Sequence, residues 1–125
     1  IVDVESIEIG TSRRTEEDLA HIHTALKAYE SKVLEGEDAV QEDLLFHLAI
    51  AKASHNSTMN TFMLIITPEI ITNFEKYHVC DKGLVQEAIK EHQEIYEAIL
   101  NQDPKLAKQK MKDHFNVLYQ FCYNI

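Results

Sequence analysis

The sequence predicts an all-α fold, a single antiparallel bundle of about six helices. Three observations carry this. Among 125 residues there are only three Gly and two Pro, too few to terminate many short strands. Apolar residues recur at helical spacing through most of the chain, with Glu, Lys, Ala, Gln and Leu filling the rest. Helix start and stop signals divide it into segments of helical length. Hydrophobic residues are 45% of the chain, enough for one domain core spanning 1–125.

The first helix is expected over Ile1 to about Ile9, ending at a break in Gly10-Thr11-Ser12. Thr15-Glu16-Glu17-Asp18 has the form of a capping box with Asp in place of Glu or Gln. It should start a helix running to about Leu34, with the stripe Leu19, Ile22, Leu26, Tyr29 and Val33. Gly36 stops it, and Asp38 is placed to cap a third helix from about Ala39 to Ser54. After a turn at His55-Asn56-Ser57, a fourth helix begins near Thr58. It is apolar almost all round through Phe62 to Ile66, with a kink at Pro68. His78 to Gly83 reads as a loop and Leu84 to Leu100 as the fifth helix. Asn101-Gln102-Asp103-Pro104 is the clearest punctuation, with Asp103 as N-cap and Pro104 in the first helical position. A sixth helix should run to about Tyr123.

Composition excludes some functions. The net charge of −9 repels phosphate backbones, so this segment is a poor nucleic-acid binder. No run reaches the roughly 18–20 apolar residues of a membrane span, and no signal peptide is visible, which predicts a cytoplasmic protein. Cys80 and Cys122 form no CxxC and are expected as free thiols. The chain opens mid-pattern on IVDVESIEI without Met, as a fragment or processed form would.

Four polar residues fall where core residues belong. Asp43 and His47, four apart, share the face of the third helix that also carries Val40, Leu44, Ala51 and Ser54. His92 lies in the middle of the apolar face formed by Val85, Ala88, Ile89, Ile95, Tyr96 and Ile99, and His114 in that of Ala107, Met111, Leu118 and Phe121. His92 is ten residues before Gln102 and His114 twelve after it. Both rings should therefore stand about 15–18 Å from the turn and meet across the hairpin. A lone histidine on an apolar face is ordinarily a satisfied core residue. Four ionisable groups on mutually consistent faces suit a divalent metal bound by Asp43, His47, His92 and His114. Zn, Ni, Fe and Mn all fit such a donor set. With no thiolate among them, open coordination positions are expected. His21, His23, His55 and His78 fall at helix surfaces or turns and are assigned no site.

The order Asp43-Leu44-Leu45-Phe46-His47, then Ala51 through Asn56, then Glu91-His92, then Met111-Lys112-Asp113-His114 resembles the FCD effector domain. That domain is the C-terminal half of FadR-type regulators in the GntR family. Arg13-Arg14-Thr15-Glu16-Glu17-Asp18-Leu19 resembles the family's second helix start. The resemblance covers nearly the whole chain. It implies a helical bundle holding a metal by one Asp and three His, with a small carboxylate effector such as lactate or a dicarboxylate beside it. It also implies a homodimer and a separate N-terminal winged helix-turn-helix, lying outside this chain, that reads DNA. The family's effector-binding Arg would fall just before Ile1, and Arg13 and Arg14 are expected at the surface.

These readings converge on a ligand-sensing regulatory domain and not an enzyme. The alternative, a metal-dependent hydrolase on the same ligands, lacks a Glu at a defined general-base spacing. A histidine phosphotransfer bundle using His23 lacks the Lys-Gly pairing of that module.

Overall fold

The computed structural model describes residues 2–37, 39–58, 60–61, 64–65, 69 and 85–117. The five helices set out in these residues are α1 (Val2–Arg13), α2 (Glu16–Leu34), α3 (Val40–Lys52), α4 (Val85–Leu100) and α5 (Pro104–Val117). Thr58, Asn60, Thr61, Leu64, Ile65 and Glu69 are also helical, on the span expected for the fourth predicted helix, and Ser57, expected in the turn, is helical with them. No strand occurs among the described residues, so the all-α reading holds. The Pro68 kink, the His78–Gly83 loop, Cys80, Cys122, the Asp38 cap and the end of the last helix lie outside the described residues.

Local chemistry sets the boundaries. Thr15 Oγ1 accepts from Asp18 N at 3.1 Å, and Asp18 Oδ2 accepts from Thr15 N at 2.9 Å. This completes the capping box with Asp in the acidic role. α2 ends in a Schellman motif, with Gly36 at φ +75 and the Glu37 amide donating to the Lys32 carbonyl at 3.0 Å. α4 ends the same way around Gln102, at φ +52, with Asp103 N donating to Ala98 O at 3.0 Å. Asp103 then caps α5 by accepting from Leu106 N at 3.1 Å. α3 starts at Ala39, which offers no side-chain cap. Asn56 opens the next helical stretch, its carbonyl accepting from Asn60 N at 2.9 Å.

Two expectations are corrected. α1 does not break at Gly10-Thr11-Ser12 but continues to Arg13. Thr11 returns its hydroxyl to the Ile7 carbonyl at 2.7 Å, and Gly10 serves packing. A Cβ at position 10 would stand 2.9 Å from the Ile50 carbonyl oxygen, so the glycine lets α1 press against the α3 backbone. Nor is Arg14 a surface residue, with its side chain only 9% exposed. Its Nε donates to Ile99 O at 3.0 Å, which also accepts from the Gln102 amide, and its Nη2 to Leu100 O at 2.7 Å, so the guanidinium caps the end of α4. Arg13 Nη1 similarly donates to Ser54 O, just beyond α3, at 3.2 Å.

α2 packs on α3 and α4, α1 on α3, α4 and α5, and α4 on α5. The three-residue loop between α4 and α5 makes them antiparallel neighbours. One continuous core joins Ile7, Ile22, Phe46, Ile50, Ile95, Ile99 and Met111, all 2% exposed or less. Burying each such side chain is worth about 1.5–3 kcal/mol. Among the described residues no helix is long and apolar enough to cross a membrane.

Candidate metal centre

The polar cluster lies where α2, α3, α4 and α5 meet. Helical periodicity on the last three turns one histidine each into the interior, with His47 5%, His92 1% and His114 3% exposed. Their potential ligand nitrogens lie within 4.8 Å of one another. The His92 and His114 rings meet edge to face at 4.8 Å, as the level argument required. His47 stacks on His114 at 5.8 Å. Asp43 joins two of the three, its Oδ1 lying 2.9 Å from His92 Nε2 and 3.2 Å from His47 Nε2. The Asp43 side chain remains 28% exposed, the most exposed of the four. All four residues singled out in the sequence thus come together. His21, His23 and His55 are exposed and stand apart from them, with His55 pairing with Asp18 at 2.7 Å. His78 lies outside the described residues.

The hydrogen bonds test whether a cation fits. His92 Nδ1 lies 2.7 Å from the Ala88 carbonyl, which can only accept, so that nitrogen carries a hydrogen. A neutral ring then turns its Nε2 lone pair toward the Asp43 carboxylate, two acceptors 2.9 Å apart. A cation shared by the two, a metal ion or a proton, resolves that opposition. His114 Nδ1 lies 2.7 Å from Glu91 Oε1, which leaves Nε2 for the cluster. Metal-bound histidines characteristically donate their other N–H to a carbonyl or carboxylate, and His92 and His114 both have such a partner. The residues present therefore fit a divalent ion.

Electrostatics agree with this arrangement. Burial pushes the Asp43 carboxyl up, but the His92 charge and hydrogen bonds from His47 and His92 outweigh it and hold the group well below the usual carboxylate range. Burial pushes His114 below 6.5, with the Glu91 bond opposing it and the neighbouring His92 and His47 reinforcing it. Neutral imidazole is the form that ligates a metal. The sign for stability follows. His114 binds its proton more weakly folded than unfolded, so its contribution is complete above about 6.5 and declines as pH falls below that value. Chelator-treated protein should lose stability on acidification from neutral pH through this window, and His114→Gln should flatten the loss. Urea midpoints across a pH series check it.

Three contributors escaped the sequence reading. Tyr29 stacks on His92 at 4.2 Å and 21°. Burial first, then the Asp43 and Glu91 charges, keep its hydroxyl protonated beyond the ordinary tyrosine range. Phe46 lies 5.1 Å from His92 and 5.8 Å from His47, a dry wall behind both rings. Glu91 holds His114. It lies eleven residues before Gln102, against twelve after it for His114, so the same distance from the turn could have placed it. A groove of about 330 Å³ lies along a different face of α3, lined by Asp18, His21, Leu45, Leu48, Ala49 and Lys52. It contains none of the four cluster residues.

Residues 1–117 match the FCD domain. The chain belongs to the FCD family. This FCD chain is 28% identical over 118 residues to the HTH-type transcriptional regulator LutR of Bacillus subtilis, covering 91% of the chain and 54% of the relative. It is 27% identical over 100 residues to the galactonate operon transcriptional repressor of Escherichia coli, covering 80% of the chain and 44% of that protein. The FCD chain thus spans about half the length of these relatives. Its fold is shared with the solved structure of E. coli McbR/YncC, at a TM-score of 0.70 and 18% identity over 95% of this chain and 63% of that one. The resemblance seen in the motifs holds at the level of the FCD family. Both curated relatives carry the names of transcriptional regulators, in line with a regulatory domain and not an enzyme.

Proposed function

We propose that this FCD chain is the sensing domain of a FadR-type GntR transcription regulator. It binds one divalent metal through Asp43, His47, His92 and His114, and a small organic acid on the open side of that metal. The observation that carries this reading is the convergence of the four residues from three helices beside the apolar core. The ion would supply Lewis acidity that anchors a carboxylate oxygen. Asp43 and the three imidazoles would hold it, and the Phe46 and Tyr29 rings would keep water from their inner side. One relative is named for a galactonate operon, and galactonate is a hydroxy acid of the expected class. DNA is read by a winged helix-turn-helix domain outside this chain, in a cytoplasmic homodimer. The acid then acts by binding one arrangement of the sensor better than another.

Glu91 is the further carboxylate at the centre. Its engagement with His114 leaves it poorly placed to serve as a hydrolase's general base.

Thermal shift with zinc-loaded protein tests the proposal. Lactate, succinate or galactonate should raise Tm, by mass action worth about 2.7 kcal/mol at a hundredfold excess over Kd. EDTA should abolish the rise. A rise that survives EDTA would move the effector away from the metal, and wild-type protein that takes up no Zn²⁺, Ni²⁺ or Mn²⁺ would remove the metal altogether.

A further inference from the structure

We propose that Glu91 is a positioning residue of this centre: its carboxylate fixes His114 in the tautomer that presents Nε2 to an ion, before any ion arrives. The consequence for metal affinity rests on the proposed metal reading, whereas the tautomer does not.

Glu91 Oε1 and His114 Nδ1 are 2.7 Å apart, a short contact of the charge-assisted kind. A carboxylate oxygen accepts, so the ring hydrogen belongs on Nδ1 and the lone pair on Nε2. The bond crosses from α4 to α5. Glu91 immediately precedes His92, so two adjacent residues supply a ligand and the partner of a ligand on the neighbouring helix.

The two histidines differ in how they are held. His92 is held by the Ala88 carbonyl of its own helix, a partner that no side-chain substitution removes. His114 is engaged from the neighbouring helix by a side chain that carries charge. A carboxylate partner orients the ring and raises its basicity toward a metal, and losing such a partner typically lowers metal affinity about 10–100-fold. The Glu91 side chain is 21% exposed and lies outside the apolar core cluster. Glu91→Gln, which keeps its volume, separates the hydrogen bond from the packing.

The test combines two measurements on the full chain. Imidazole nitrogen NMR of chelator-treated wild type at neutral pH should show His114 with its hydrogen on Nδ1. Glu91→Ala should lose that preference and bind Zn²⁺ about 10–100-fold more weakly. Glu91→Gln keeps an accepting oxygen, so it should retain the tautomer and recover much of the affinity. Wild-type His114 protonated on Nε2 would overturn the proposal, as would a Glu91→Ala protein with unchanged tautomer and unchanged Zn²⁺ affinity. The wild-type spectrum requires no variant, so the idea can fail even where Glu91→Ala does not fold. Wild type that takes up no Zn²⁺, Ni²⁺ or Mn²⁺ yet shows the Nδ1 tautomer would refute the metal reading and leave the hold of Glu91 on the tautomer intact.

Discussion

His92→Ala combined with His114→Ala should abolish near-stoichiometric zinc binding. The two rings are 1% and 3% exposed and meet at 4.8 Å, so their loss empties two of the three helices that carry the proposed ligands. A structural zinc is worth about 10–16 kcal/mol in small domains. Divided over four ligands, two missing rings amount to about 5–8 kcal/mol, a fall in affinity of at least a thousandfold. Asp43 and His47 remain as an i, i+4 pair, which by itself should bind only weakly. Metal content after dialysis, together with zinc titration, measures the effect. Circular dichroism confirms that the variant is folded. A double variant that retains metal as wild type does would eliminate the proposed site.

Phe46→Ala should be the most damaging single core change. Phe46 is fully buried, belongs to the central cluster, and lies behind both His47 and His92. Deleting a buried phenyl ring costs about 3–5 kcal/mol through lost transfer energy and the cavity left behind. Small domains have about 5–15 kcal/mol in total, so much of the stability disappears. The variant should also bind metal less well, because the His92 and His47 rings lose the wall that limits their rotation. Urea unfolding should show a midpoint shift of this size with little change in slope. A loss below about 1 kcal/mol would mean that the surroundings collapse to fill the space, contrary to the packing described.

The sequence revealed features that depend on neighbours along the chain. The Thr15 capping box, the stop at Gly36 and the Asp103-Pro104 start each rest on a few adjacent residues, and each occurs where expected. The four polar residues were legible because periodicity gives the face of each, and for His92 and His114 the distance from the turn gives the level. Gly10 was misread because a glycine in a helical pattern signals either a break or a close approach. Only the Ile50 carbonyl on another helix distinguishes the two. Arg14 was misread for a similar reason. A long side chain at a helix start suggests solvent, and the carbonyls it meets are 85 and 86 residues away. Tyr29 is buried on its helix stripe as expected, but its contact with His92, like that of Glu91 with His114, is fixed by helix packing.

The corner between α1 and α2 has a consequence for cooperativity. Arg13 and Arg14 are neighbours, yet one donates to the chain just past α3 and the other to the last carbonyls of α4. Those helices carry Asp43 with His47 and His92, respectively. Fraying at the end of either helix disturbs the same short connector, which ties their opening reactions together. α3 and α4 should therefore belong to one unit of local unfolding, although they are far apart in the chain.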